Sequence, residues 1–235
     1  DYGTPFANAI EQVFPDAGTG TVVANVAFTD GRADYTTELQ TVSDAMPDCN
    51  VVIGYPRNAG LMLQNWSVLT GHPTVEWIGT DGLKSDALAT ATGNPALLDG
   101  FWGTAPLTTP MTEEFNRFAA RYQAAFGHAP EPFVSSAYDS AALVLLAIAS
   151  AGSTDGDAIR DAIHDINDIT SGGVELVQSA QLAQGLAFLR DGELIDYVGA
   201  SGPLNVDELG NPLAPYEVWQ WHMTPPGFEQ IHVFQ

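Results

Sequence analysis

The chain has 235 residues, 45% of them hydrophobic, which suits one large domain or two small ones and excludes a disordered chain. Its 29 acidic residues against 7 basic ones give a formal net charge of −22, which excludes a nucleic-acid backbone as partner and disfavours an anionic lipid surface. A single cysteine, Cys49, excludes an intramolecular disulfide and any multi-cysteine metal site.

In chain order, Thr4–Phe14 has apolar residues at helical spacing, with Thr4 as a possible N-cap and Pro5 at the first helical position. Thr21–Phe28 is β-branched and mostly apolar, which predicts a strand. Ala33–Met46 returns to helical period with Leu39 and Val42 on one face. Asn50–Tyr55 reads as a short, fully buried strand, and Cys49 just before it as an inert buried thiol. A helix over Asn58–Leu69, a strand over Thr74–Gly79 and a further strand around Gly100–Gly103 follow. Strands alternating with helices predict βαβ units and a parallel sheet.

Beyond Pro106 the pattern changes. In Thr112–Phe126 the aromatic residues Phe115, Phe118, Tyr122 and Phe126 fall on one helix face, with Glu113 and Glu114 in the first turn and Gly127 as a stop. Helices are predicted over Phe133–Ala151, Asp157–Ile166 and Gln178–Leu189. The apolar stretch Ser140–Gly152 is too short to span a bilayer and reads as a buried helix. Tyr216–Trp221 and Phe228–Phe234 predict a hairpin across Pro225–Gly227. No strong strand is legible between Thr112 and Leu189, so the helices there lack an evident sheet to cover.

Catalytic and metal motifs are thin. Gly199–Pro203 (GASGP) lacks the last glycine of a nucleophile elbow and reads as a turn. His72, His128, His164, His222 and His232 show no metal-ligand spacing. Asn205–Gly210 departs from a calcium loop at Leu209, and Gly18–Thr19–Gly20 from a phosphate-binding loop. Asp1–Ile10 has neither the basic nor the apolar region of a signal peptide, so the protein is cytoplasmic or its targeting segment has been removed. The acidic balance suggests a solubilising shell, as in a saline habitat.

Position says more than motif. In an open parallel sheet, ligands bind at the carboxyl ends of the strands. One such end carries Tyr55, Pro56, Arg57 and Asn58; the next carries Thr80, Asp81 and Gly82. A carboxylate beside a phenol suits a ligand ammonium, whereas the bland alternative has Asp81 capping a helix and Tyr55 covering an edge.

The order of the segments resembles the type I periplasmic binding proteins of the leucine/isoleucine/valine-binding kind, the solute receptors of branched-chain amino-acid ABC transporters. The matching stretches are DYG at Asp1–Gly3, GRADYTTELQ at Gly31–Gln40, PDCNVVIGYPRNAGLMLQ at Pro47–Gln64, WIGTDG at Trp77–Gly82 and LLDGFWGTAP at Leu97–Pro106. Phe115–Gly152, with its Phe-x3-Tyr and Ala-Tyr-Asp patterns, and Tyr197–Trp221 complete the series. The resemblance implies an α/β fold of two lobes, with parallel sheets flanked by helices, that is incomplete in this chain. Residues 1–106 and 217–235 correspond to the second lobe. Residues 107–216 correspond to the returning, mainly helical part of the first lobe, whose opening strands have no counterpart.

The resemblance further implies a non-enzymatic, periplasmic or extracellular protein, lipid-anchored or not, that captures an amino acid or similar small amphiphile and delivers it to a membrane permease. It implies no cofactor and no metal. A sensory or regulatory ligand-binding domain of the same fold is the alternative, and a hydrolase using Ser201 a third. Carried over by position, Tyr2 matches an aromatic that opens the second lobe and faces the ligand. Tyr55, or Pro56 in another alignment, matches a second aromatic. Asp81 matches an acidic residue that pairs with the ligand's α-ammonium; it is one methylene shorter than the family's Glu. Arg57 is a candidate for a polar ligand side chain.

Overall fold

The computed structural model describes residues 2–18, 20–107, 112–166, 174–207, 210 and 215–234. The chain divides into two compact units, Asp1–Pro106 with Tyr216–Phe234, and Leu107–Pro215. In chain order the elements are α1 (Gly3–Asp16), α2 (Thr36–Asp44), β1 (Cys49–Val52), α3 (Pro56–Val68), β2 (Glu76–Gly79), α4 (Asp86–Ala91) and β3 (Trp102–Pro106). Then come α5 (Glu113–Phe126), α6 (Val134–Ala151), α7 (Gly156–Asp165), β4 (Glu175–Gln178), α8 (Leu182–Arg190), β5 (Ile195–Gly199) and β6 (Gly202–Pro203). The chain closes with β7 (Tyr216–Met223) and β8 (Pro226–Phe234).

The first of these units holds a five-stranded sheet of order β1-β2-β3-β7-β8. β1, β2 and β3 run parallel; β7 returns antiparallel beside β3, and β8 beside β7. One face is covered by helices: Leu39, Met62, Leu63, Trp66 and Leu88 pack with Val52, Phe101, Trp219 and Trp221 into one core. The helix over Ala33–Met46 starts later than its periodicity suggests, because the Asp34 carboxylate accepts hydrogen bonds from the Thr36 N–H (3.0 Å) and hydroxyl (2.9 Å) and turns the chain there. Helix α1 begins at Gly3 with Tyr2 at its N-cap, so Thr4 lies inside the helix and does not cap it.

The opposite face of the sheet is open at β1, which corrects two expectations. β1 alternates between exposed and buried residues, with Val51 42% exposed, so it is half-buried. Cys49 lies on the open face and is an exposed thiol. Among the described residues, Thr21–Phe28 forms no ladder either. It has the period of a strand, with Val22, Ala24, Val26 and Phe28 half-buried and the residues between them exposed. A strand is completed by hydrogen bonds to a neighbour, and β1 is paired only with β2. The closing hairpin forms as expected, but its turn lies at Thr224–Pro225, and Pro226 and Gly227 already belong to β8.

The second unit contains a sheet of order β4-β5-β6, whose first strand lies where no strong strand was legible. β4 is only four residues long, too short for its alternation to stand out beside the helical segments around it. The predicted Gln178–Leu189 helix accordingly starts at Leu182, after that strand. Val177, Ile195 and Tyr197 present the buried face of this sheet to Ala142, Leu146 and Ala147 of α6 and to Ala162 and Ile166. Helix α5 follows its sequence signals closely: the Thr112 hydroxyl accepts from the Phe115 N–H (3.1 Å), and Gly127 ends the helix at φ 81°.

Helix α6 is long and apolar enough to cross a membrane by length and composition alone. It is buried on one side only: Val144 and Leu145 are exposed, whereas Ser135, Asp139, Ala142, Leu146 and Ala147 are buried. The helix is thus not the buried one its composition suggests, and Asp139 anchors its one buried side. Its carboxylate accepts from the Tyr197 hydroxyl and the Ala200 N–H (both 2.9 Å), and from the Ser201 N–H and hydroxyl (both 2.6 Å). Those donors fix the Ala200–Ser201 turn between β5 and β6. A side chain at Gly199 would come within 2.3 Å of the same carboxylate. Burial, reinforced by the Asp139 charge, pushes the Tyr197 hydroxyl far above its ordinary pKa.

The Asn205–Gly210 segment closes with a hydrogen bond from the Gly210 N–H to the Asp207 carbonyl (2.9 Å), residues 208 and 209 lying outside the described residues. Thr19 of Gly18–Thr19–Gly20 also lies outside them.

With a net charge of −22, self-repulsion opposes the compact state and salt screens it. The thermal midpoint should therefore rise as salt is raised from about 0.1 M to about 1 M. Calorimetric scans showing a constant or falling midpoint would contradict this.

Candidate functional site

The candidate site is built at the carboxyl ends of β1 and β2. Tyr55 follows β1 and leads into α3, whose first residue, Pro56, has the backbone restriction a helix start requires. Asn58, in the first turn of α3, is buried; its amide donates to Asp30 (2.8 Å) and accepts from the Tyr35 hydroxyl (3.1 Å), which locks that end of the helix. After β2, Thr80 is buried and Asp81 opens a single 3-10 turn, Asp81–Leu83.

Tyr2, Tyr55 and Asp81 come together here. The Tyr2 hydroxyl donates to Asp81 Oδ1 at 2.5 Å and lies 2.9 Å from the Thr80 hydroxyl, which can donate back to it. The rings of Tyr2 and Tyr55 are 5.7 Å apart, tilted by 32°. Phe6, one turn along α1, adds a third ring 6.2 Å from Tyr2. Gly82 packs where a side chain would meet the Gly54 carbonyl at 2.7 Å and the Tyr55 ring at 3.3 Å, so close approach excludes a larger residue. Tyr55 is 57% exposed, and its ring is free to meet another molecule. Arg57 is exposed and makes no ion pair among the described residues.

Thr80, which the strand end was expected to carry, joins the site through the Tyr2 hydroxyl. Two clefts lie away from the three residues. One, of about 580 Å³ in the five-stranded unit, is lined by Glu76, Asp99, Trp102 and Gln220 at the start of β2 and β3, opposite the carboxyl ends. The other, of about 570 Å³ in the three-stranded unit, runs along Phe118, Tyr122 and Tyr138 with Arg117 and Arg121.

Chemically, the cluster offers a carboxylate with one oxygen engaged by a phenol, bordered by aromatic faces. Such a carboxylate beside aromatic rings has the chemistry to suit a cation. Burial, together with the hydrogen bond to Asp81, raises the Tyr2 hydroxyl from its ordinary value near 10 to about 12. Tyr2 therefore remains a neutral donor throughout the physiological range.

A family profile described as periplasmic binding protein matches residues 1–188. Among solved structures, the leucine-binding protein LivK of Thermotoga maritima MSB8 aligns with a TM-score of 0.73 at 21% identity, over 100% of this chain and 57% of that one. LivJ of Streptococcus pneumoniae, a branched-chain amino acid transporter substrate-binding protein in complex with isoleucine, aligns with a TM-score of 0.64 at 19% identity, over 98% and 58%. An ABC-transporter solute-binding protein of Rhodopseudomonas palustris in complex with benzoate aligns with a TM-score of 0.62 at 15% identity, over 96% and 53%. The chain thus spans little more than half the length of these proteins, and at such identities the likeness is one of fold. No curated protein matches the chain.

The raised pKa of Tyr2 has a consequence for stability. Because its folded-state value lies above its ordinary one, its contribution is complete below pH 10 and is lost as pH rises through about 12. Tyr2→Phe should lower stability at neutral pH and abolish that alkaline loss. Denaturant titrations giving parallel alkaline profiles for the two proteins would contradict it.

Proposed function

The chain belongs to the periplasmic binding protein family, and from that membership we propose that it serves an ABC transporter by capturing an amino acid and presenting it to a membrane permease. Members of this family are solute-binding proteins and not enzymes. The proposal places the protein in the periplasm or outside the cell. It assigns the five-stranded unit to the family's second lobe and the three-stranded unit to part of the first.

The observation that carries this reading is the carboxylate of Asp81, held at a strand's carboxyl end by the Tyr2 hydroxyl, with the exposed Tyr55 ring beside Tyr2. Two of the similar proteins hold carboxylate-bearing molecules, isoleucine and benzoate. Only isoleucine also carries an ammonium. A bare carboxylate brought to Asp81 meets a like charge, whereas an ammonium meets an opposite one, so the cluster favours the amino acid. The ammonium pairs with Asp81, and the rings of Tyr2 and Tyr55 border the same position.

Isothermal titration with L-leucine, L-isoleucine and benzoate tests this on the whole protein. The expected result is binding of an aliphatic amino acid in preference to benzoate, weakened by about 2–5 kcal/mol in Asp81→Ala, the range for a desolvated charge pair that loses one partner. An unchanged affinity in that variant would remove Asp81 from the site.

A further inference from the structure

Lys84 is the only lysine in the chain, and it is spent in the interior. Its ammonium pairs with Glu217 of β7; the two side chains are 13% and 1% exposed. Among the described residues Glu217 has no other basic partner. The pair has a definite place. Lys84 follows the Asp81–Leu83 turn, and its N–H donates to the Asp81 carbonyl (3.2 Å), while the Leu83 N–H donates to Thr80 (3.0 Å). Glu217 lies opposite Ala105 in the β3–β7 ladder. One end of the ion pair is thus anchored in the sheet and the other in the turn that carries Asp81.

We infer that Lys84 and Glu217 are positioning residues, which hold the Asp81 turn against β7 and so fix where the Asp81 carboxylate points. A buried ion pair is a poor device for stability alone, since well-packed apolar residues commonly serve as well or better. What it supplies is direction: the lysine stem can reach its partner only when the turn lies over the sheet. Leu83, in the same turn, is fully buried in the core, a contact without the directionality of an ion pair. The step from turn geometry to ligand affinity rests on the assignment of Asp81 as the ammonium-binding group.

The test compares the wild-type chain with Lys84→Met/Glu217→Leu, which removes both charges together and leaves none unpaired. The charge-swapped pair Lys84→Glu/Glu217→Lys serves as the conservative rescue. Amide hydrogen exchange of Leu83 and Lys84 needs no ligand. In the apolar double variant these amides should exchange at least roughly tenfold faster, while the β3–β7 ladder keeps its protection and the thermal midpoint holds; the swapped pair should restore slow exchange. L-leucine affinity should fall by roughly tenfold in the apolar variant and recover in part in the swap. Unchanged exchange at Leu83 and Lys84 in a folded apolar variant would overturn the inference, and should the apolar variant fail to fold, a folded swap with fast exchange at those amides would do the same. If exchange quickens but neither the apolar variant nor Asp81→Asn alters leucine binding, the positioning role stands and the assignment of Asp81 to the ligand falls. If Asp81→Asn weakens binding and the apolar variant does neither, the positioning role falls alone.

Discussion

The indole of Trp219 occupies space that side chains at Gly79 and Gly103 would otherwise take. A Cβ at Gly103 would lie 2.5 Å from the Trp219 ring and 2.2 Å from the Gly79 carbonyl; one at Gly79 would meet Phe101 at 2.8 Å and the same indole at 3.0 Å. Gly79 and Gly103 are register partners in β2 and β3, and Trp219 lies opposite Gly103 in β7. This one packing contact therefore sets how β2, β3 and β7 meet at the last residue of β2. Thr80 and Asp81 follow Gly79 directly, so the position of the carboxylate is inherited from it. Tyr2 at the start of α1 then closes on that carboxylate, and Tyr55 at the start of α3 lies against the Tyr2 ring. Large apolar volume at one point and missing side chains at two others is ordinary close packing. Here it has a polar group at its edge.

Much of this was legible in the chain, for reasons that differ by element. Helix α5 was readable to within a residue, because Thr112, Glu113, the aromatic spacing and Gly127 all favour the same helix. The parallel strands were readable from alternation with helices, and the meeting of Tyr2, Tyr55 and Asp81, though not a ligand role, from family resemblance joined to the rule for strand ends. What failed were statements about partners. Thr21–Phe28 has a strand's composition and a strand's alternating burial, yet lacks a ladder among the described residues, because pairing is decided by a neighbouring strand and not by the segment itself. Cys49 and Val51 look like core residues and are exposed for the same kind of reason: burial of the second face of a sheet depends on what covers it. β4 was missed because four residues hold too few periods to be told from their surroundings. The Lys84–Glu217 pair spans 133 residues of sequence, a separation across which no local pattern operates.

The three-stranded unit solves a different problem. It has a small sheet and long helices, and its most apolar helix carries a buried carboxylate. Asp139 is tolerated because four donors converge on it, and those donors in turn define a turn that local sequence would leave loose. The helices nevertheless keep apolar residues outside: Phe126 of α5, Leu145 of α6 and Leu186 of α8 are all exposed. Glu114 shows the same economy at smaller scale; it is buried in the first turn of α5, where it accepts from Arg117 (2.9 Å) and from the Ser179 hydroxyl (3.2 Å).

Ligand capture as proposed requires that the carboxyl ends of β1 and β2 form the site. Residue-resolved NMR of the protein titrated with L-leucine tests it most directly, because it locates the ligand without presuming a contact. Amide shifts should concentrate at Tyr2, Tyr55 and Thr80–Leu83, with the cleft around Glu76, Asp99 and Trp102 unmoved. Shifts confined to that cleft, or to the groove along Phe118 and Tyr122, would contradict it.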